Sequence, residues 1–371
     1  MDLERVHRVG LVKDNFTCKR TVANIGLQQF FFATTKDSEM EYIERDRNGN
    51  PLFQINFTGE EKSEDDFKLE AVKEKKRKPS DKFSRFRSLE PKEGTILTTL
   101  SFSGGTGSGA IAEMLLNGDL ECSTQLLVCT ADPGMEDSRT YDYVSEMAER
   151  FSDAGIEHHI VKTDLYGEFL KAVKEKHTRF DNPPFWTKNR KTGKRGRLMQ
   201  GCTQAFKIKP IRRVVRQVLK RDFDVAKDGR PKKDSVRTWI GFSADEMTRI
   251  KESDVQYSYF AYPLIAKQMT KADVAEYYKK INRKLPPRSV CTACFANDLN
   301  HFKDMHENRK QDWEKAVAVD DACRDLSCMA VEDECYVSNT LVPLRDLPKM
   351  EFIVEDTPLF DLECHSGHCF I

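Results

Sequence analysis

The side chains best suited to chemistry in this chain are thiols, and hydroxyls set among glycines. Cys291-Thr-Ala-Cys294 has the knuckle spacing that suits Zn²⁺ or an iron–sulfur cluster. The segment Glu363-Cys364-His365-Ser-Gly-His368-Cys369 is a second dense group of ligand types, and Cys202 opens a basic stretch. Thiolates favour zinc or iron over hard cations, and the spacing does not separate those two. A different chemistry is offered by Thr98 to Gly109, TTLSFSGGTGSG, a glycine-rich loop between a strand-like run and a helix-like one. Backbone amides and a helix dipole converge at such a junction, which makes it a natural phosphate site.

The third unusual feature is charge. Asn182 to Arg221 holds thirteen lysines and arginines and no acidic residue. Each charge-assisted hydrogen bond contributes roughly 1.5–3 kcal/mol, so two or three would hold a phosphate. The excess points to a polymeric anion, DNA or RNA, with Phe185 and Trp186 available for stacking. The competing reading is a mobile solvated loop over Lys188–Arg197 beside an ordinary amphipathic helix.

Elements must position these groups. Residues 1–60 read as a β-containing extension: Gln28 to Thr35 has strand composition. Met40 to Arg45, Asn48-Gly49 and Leu52 to Phe57 read as a hairpin around an Asn-Gly turn. Residues 61–93 are charged and apolar-poor and read as a linker, whose run Lys73 to Lys78 is taken as a solvated face. From Gly94 the pattern becomes strand–helix alternation. Strands are expected over Thr95–Phe102, Thr124–Ala131, Glu157–Thr163 and Arg237–Ser243, with helices from Ala110 and over Asp137–Ala154. This order predicts an α/β fold with a doubly wound, mainly parallel sheet and its ligand site at the strand C-termini. A nucleotide-binding domain over 94–285 and a Cys-rich region over 286–371 complete the division.

Bulk composition narrows the setting. Basic and acidic residues balance at 60 each, so a nucleic-acid partner can be argued only from local clustering. The start Met1-Asp-Leu-Glu-Arg-Val-His lacks an apolar signal region, and no uncharged apolar run reaches membrane-span length. A cytoplasmic, non-membrane protein is expected, in which eleven cysteines argue for metal or thiol chemistry over a disulfide framework. Cys122 and Cys129 flank an apolar run and read as small buried hydrophobes. Cys323, Cys328 and Cys335 read as structural.

Taken alone, SGGTGSG matches the glycine-rich signature of tubulin-type GTPases. Residues 1–94 contain no earlier nucleotide-binding glycine segment, however, and the first strong strand of the sheet runs straight into the loop. The loop and four later blocks instead resemble, in order, the phosphoadenosine-phosphosulfate (PAPS) reductase-like family of PP-loop ATP pyrophosphatases. Those blocks are Val128 to Val144, Gly201 to Val215, Trp239 to Ile250, and Ala261-Tyr-Pro-Leu-Ile with Pro287 to Phe295. The resemblance covers the chain from about Gly94 onward. It departs from the family's SGGxDS loop at Gly107, which stands in place of the aspartate, and at Thr106, where the reductases commonly carry lysine.

The resemblance implies ATP and Mg²⁺ as cofactors, with nucleotide contacts from Ser101, Ser103, Gly104, Gly105, Thr106, Gly107, Ser108, Lys207, Lys209 and Arg249. It implies catalytic roles for Asp132, Asp245, Glu246 and Cys202. Asp132-Pro-Gly is equally readable as a turn without further function. It also implies that Cys202, Cys291, Cys294, Cys364 and Cys369 hold a 4Fe–4S cluster or Zn²⁺. The implied activity is adenylation of an acceptor with release of pyrophosphate, in sulfur transfer or another modification of DNA or tRNA, with a sulfur donor such as a cysteine desulfurase as partner. Two alternatives remain open: a sulfonucleotide reductase using Cys364, and a catalytically degenerate nucleic-acid-binding component of a larger complex.

Overall fold

The computed structural model describes residues 88–223, 225 and 231–352, together with the backbone of three N-terminal strands. The chain divides into two compact units, Met1–Lys78 and Pro79–Ile371. In the first, β1 (Phe32–Thr34), β2 (Met40–Arg45) and β3 (Pro51–Phe57) form an antiparallel sheet in the order β1–β2–β3. The β2–β3 pairing runs from Met40↔Phe57 to Arg45↔Pro51, with an irregularity between Glu44 and Arg45. The expected Asn-Gly turn and the linker up to Arg87 lie outside the described residues.

The second unit opens with β4 (Leu97–Ser101), α1 (Thr106–Leu116), β5 (Gln125–Asp132), α2 (Ser138–Asp153), β6 (Glu157–Lys162) and α3 (Leu165–Lys174). A short hairpin, β7 (Trp186–Lys188) and β8 (Arg195–Arg197), precedes α4 (Lys209–Phe223). Then come β9 (Val236–Trp239), β10 (Ser258–Ala261), α5 (Pro263–Ala266), α6 (Lys271–Lys280), α7 (Leu299–Asn308), α8 (Lys310–Cys323) and β11 (Glu334–Tyr336). Five strands form one sheet in the order β10–β9–β4–β5–β6, every neighbouring pair parallel. The expected parallel α/β sheet is present, and β10 adds an edge strand that the sequence pattern did not suggest.

Both faces of this sheet are covered, because its strands alternate between two apolar cores. Leu100 and Val128 point toward α1, α2 and α6, where Ile111, Met147 and Tyr278 are buried. Leu97 and Leu127 point the other way, under Val215, Val218 and Leu219 of α4. The chain leaves β4 toward β5 on one side, whereas β9 lies on the other. The β4–β9 boundary is therefore the switch point, outside whose strand C-termini ligands bind in open α/β sheets.

A third core, built on neither face of that sheet, joins distant parts of the sequence. Leu165 and Phe169 of α3, Phe185 and Phe206 pack with Phe302, Trp313, Val319 and Leu347. Its small sheet has the order β11–β7–β8, all antiparallel. Residues 291–352 thus share a core with residues 165–206. Among the described residues, no helix is long and apolar enough to cross a membrane.

Candidate functional site

The glycine-rich loop sits where β4 ends and α1 begins, and its backbone is fixed by close contacts. The Phe102 amide donates to the Cys129 carbonyl at 2.9 Å, tying the loop to the neighbouring strand. Ser108 is buried; its hydroxyl accepts from the Ser103 amide at 3.1 Å and lies 3.1 Å from the Ser103 hydroxyl. Gly104 has φ +75°, and a Cβ there would meet Val144 of α2 at 2.6 Å. Only glycine suits that position. The first amides of α1 have no partner within the helix, and they face the loop with the positive end of its dipole.

Gly107, which departs from the family pattern, has a steric cause. A Cβ on Gly107 would lie 2.0 Å from the carbonyl oxygen of Gly241, just past β9. A Cβ on Gly241 would in turn lie 2.3 Å from the Ser108 amide. Two glycines therefore let two backbones cross at the switch point, and no aspartate fits at 107 without moving one of them. The Gly107–Gly241 match was not readable from the loop alone.

The loop's other wall leads to the cysteines. A Cβ on Gly105 would meet Ser289 at 3.0 Å, and Thr106 Oγ1 donates to the Pro286 carbonyl at 3.4 Å. Ser289 also lines a cleft together with Cys202, Lys207, Cys291 and Cys294. The segment Val290–Thr292 lies antiparallel to Met135–Asp137: the Asp137 amide donates to Val290 at 3.0 Å and the Thr292 amide to Met135 at 2.8 Å. This pairing brings in Glu136, a buried acid the sequence reading passed over because it is isolated in the chain. Lys207 Nζ donates to Glu136 Oε1 at 2.7 Å, and Cys291 Sγ lies 3.5 Å from the same oxygen. The other carboxylate oxygen, Oε2, is buried and makes no hydrogen bond.

Electrostatics in this cleft favour neutral thiols and a charged lysine. Burial, reinforced by Cys294, pushes the Cys202 thiol up to about 11. Burial and then Glu136 push Cys291 well above the ordinary thiol range, and burial also raises Cys294. Burial opposes the Lys207 ammonium, but Cys291 when ionised, and the Glu136 carboxylate throughout, outweigh it and hold its pKa above the ordinary value. Lys207 points inward because a π-helical turn, Gln204–Ile208, precedes α4. Such turns redirect side chains from the regular helical face.

The three thiols are chemically suited to iron or zinc. Among the described residues, no three His, Cys, Asp or Glu side chains are gathered as a metal-binding group. Cys364 and Cys369, together with His365 and His368, lie outside the described residues.

The remaining expected residues are spread more widely. Asp132 ends β5 and accepts from the Gly134 amide at 2.8 Å and from the Tyr141 hydroxyl at 2.7 Å. Asp245 and Glu246 lie in a short 3₁₀ turn, Ala244–Arg249. Asp245 accepts from the Lys271 amide at 3.1 Å, and Glu246 closes a capping box with Ser243 and pairs with Arg249, whose guanidinium lies 4.3 Å from the Phe242 ring centre. Lys209 is exposed on α4, away from the inward-facing Lys207. Phe185 is fully buried in the third core, so it cannot stack on a base. A buried ionic network at the start of α2 had no sequence signal. Asp137 caps the helix and faces Arg139 at 3.1 Å, Arg309 at 3.3 Å and His301 at 3.5 Å.

Comparison with known proteins adds little to this geometry. No family model matches the sequence, and no curated protein matches it. Among solved structures, the U34-tRNA thiolase NcsA from Methanococcus maripaludis, solved with its [4Fe-4S] cluster, is similar at 14% identity and a TM-score of 0.34. That likeness covers 66% of this chain and 77% of that chain. At that score it carries no argument, and the fold rests on the strand order itself.

Proposed function

We propose that this chain is an ATP-dependent adenylating enzyme of the PP-loop, PAPS reductase-like type, acting in sulfur transfer or a related modification of a nucleic acid. The observation that carries the reading is a shared wall: Ser289 abuts Gly105 of the loop and also lines the cleft of Cys202, Cys291 and Cys294. A nucleotide held at the loop thus adjoins a pocket of soft donors.

In this account the first amides of α1 and the Ser103 hydroxyl hold the ATP phosphates, with Mg²⁺ neutralising the leaving pyrophosphate. Ser101, Asp132, Asp245, Glu246, Lys209 and Arg249 border the nucleotide more loosely. An oxygen of the acceptor attacks the α-phosphorus; the α–β bond breaks and pyrophosphate leaves. A sulfur or nitrogen nucleophile then displaces AMP from the activated carbon. Lys207, charged and paired with Glu136, compensates negative charge that develops in the cleft. Cys202, Cys291 and Cys294, completed by Cys364 or Cys369, would hold a 4Fe–4S cluster or Zn²⁺. Such a centre, when bound, supplies a soft site for sulfur delivered by a donor such as a cysteine desulfurase.

Pyrophosphate release from ATP, measured with and without tRNA or DNA, tests the reading. Release that depends on Ser103 supports it, and ATP binding without any release contradicts it. One observation favours a second reading, a nucleotide-binding component without turnover: the Gly241 carbonyl occupies the space an aspartate at 107 would need. Binding without release is the result that reading expects.

A further inference from the structure

The basic segment splits into two halves that use their charge differently. In the later half much of it is spent within the protein. Lys207 pairs with Glu136, Arg212 with Asp254, Arg221 with Glu157 and Asp222, and Arg216 lies over Tyr257. The earlier half is the β7–β8 hairpin. Lys188, Lys191 and Lys194 are exposed, and none forms an ion pair with a described acidic residue, although Glu334 of β11 is the register partner of Lys188. Arg190 reaches Asp325 only at 4.0 Å.

The segment that the competing reading takes as a solvated loop is a shaped element. Asn189 Oδ1 accepts from the Lys191 amide at 3.1 Å and the Thr192 amide at 2.9 Å, which closes the tip. Asn189 Nδ2 donates to Asp333 at 3.0 Å, and β7 is backed by β11. The hairpin is also fastened to the cysteine cleft. The Trp186 indole N–H donates to the Phe295 carbonyl at 3.0 Å, next to Cys294. Arg197 lies 4.9 Å from the Phe295 ring and 5.7 Å from the Trp186 ring, and Arg195 lies 5.3 Å from Trp186. Beyond β8, Gln200 and Cys202 line the cleft itself.

The charge of this hairpin is only partly answered within the protein. In the strand registers Lys188 lies between Arg195 on β8 and Glu334 on β11, so a single acid stands beside two of the hairpin's charges. Like charges facing each other across a ladder are destabilising. Charge on the edge strand β8 would guard against sheet-to-sheet association, but that does not call for Lys188 or Lys191 on the other strand and the tip. An anion lying along the hairpin would relieve the repulsion. Arg195 and Arg197 are two residues apart on one strand face, about 6–7 Å, which is close to the spacing of successive phosphates along a nucleic-acid strand. A guanidinium stacked on an aromatic face keeps edge N–H groups available for phosphate; Arg195 spends one of its own on the Asn339 carbonyl at 3.4 Å.

We infer that the β7–β8 hairpin grips the phosphate backbone of the nucleic-acid acceptor at the mouth of the cysteine cleft. This rests on the proposed function for the identity of the acceptor, but not on ATP turnover. The competing surface is the exposed stripe Lys209, Arg213, Arg216 and Lys220 along α4.

The test measures binding of the full chain to fluorescein-labelled tRNA and to single-stranded DNA by anisotropy across a potassium chloride series. K188Q/K191Q/K194Q is expected to weaken binding about tenfold or more and to lower the slope of log K against log salt by about 2–3. K209Q/R213Q/K220Q is expected to change affinity less than about threefold. Unchanged thermal melts establish that both variants fold. The inference is overturned if the hairpin variant binds like the wild type, if the α4 variant alone loses binding, or if polyglutamate competes as well as nucleic acid, which would mark an acidic protein partner. Basal pyrophosphate release without nucleic acid is measured in parallel. Its absence in the wild type sinks the adenylation account while leaving the hairpin result intact.

Discussion

The two halves of the site are positioned by different physics. The loop half is held by backbone: a parallel strand, a helix start, and two glycines that let chain segments cross at the switch point. The cleft half adds side chains to one short backbone bridge, with buried ion pairs at Glu136–Lys207 and around Asp137 joining segments far apart in the chain. Backbone placement tolerates many side chains but no extra Cβ at its crossings. Ionic placement tolerates shape changes but not loss of a partner.

The largest expected effect falls on the backbone half. Gly107→Asp, which would match the SGGxDS loop that the sequence resembles, drives a side chain into the Gly241 carbonyl. It should cost more than about 4 kcal/mol or displace the loop, seen as a steep fall in melting temperature and loss of ATP binding. A melt within about 1 °C of the wild type would show that the two segments part readily.

In the ionic half, Asp137→Ala removes the carboxylate that Arg139, Arg309 and His301 share. It should cost about 3 kcal/mol in urea denaturation, because three cations lose a shared buried carboxylate while Asp304 and Asp312 still face Arg309. A cost below about 1 kcal/mol would mean that the network is dispensable and that the contrast between the halves is false.

Acid should act on the sheet that carries the loop. His158 on β6 is held down to about 4, by burial first and by the charge of His159 second, and its ring nitrogen lies 2.9 Å from Thr130 Oγ1. A histidine with a depressed folded pKa contributes stability that is complete above its unfolded pKa, near 6.5, and is lost as pH falls through the folded value. Up to about 3 kcal/mol should disappear between those limits, and His158→Gln should flatten that limb of the stability–pH curve. An unchanged limb would assign the acid sensitivity elsewhere.

Smaller still is Glu136→Gln, which keeps the shape but removes the charge beneath Lys207. It should cost about 1.5–3 kcal/mol and speed alkylation of Cys291, since the carboxylate that opposes its thiolate is gone. Slower alkylation would contradict the assigned electrostatics.

The same contrast explains what the sequence disclosed. The sheet strands β4 and β5 were legible because continuous apolar runs of strand length announce themselves, and Asp137 marked the start of α2 as a cap should. Strand β10 escaped because Ser-Tyr-Phe-Ala is too short to show a period. The β7–β8 hairpin escaped because its strands, Trp-Thr-Lys and Arg-Gly-Arg, are three residues each and are stabilised by Phe295 and β11 far along the chain. The cleft was half legible: the cysteines could be named from spacing. Glu136 lies 155 residues from Cys291 and carries no local pattern, and the inward turn of Lys207 depends on a π-helical register that composition does not encode.

The central claim is that the loop and the cysteine cleft form one site across Ser289. It is tested most directly by the alkylation rates of Cys291 and Cys294 at pH 9, followed by peptide mass spectrometry with and without Mg-ATP. Mg-ATP is expected to slow both at least about fivefold and to leave Cys122, which precedes β5 at the opposite end of the sheet, unchanged. Equal rates, while equilibrium dialysis shows ATP bound, would contradict it.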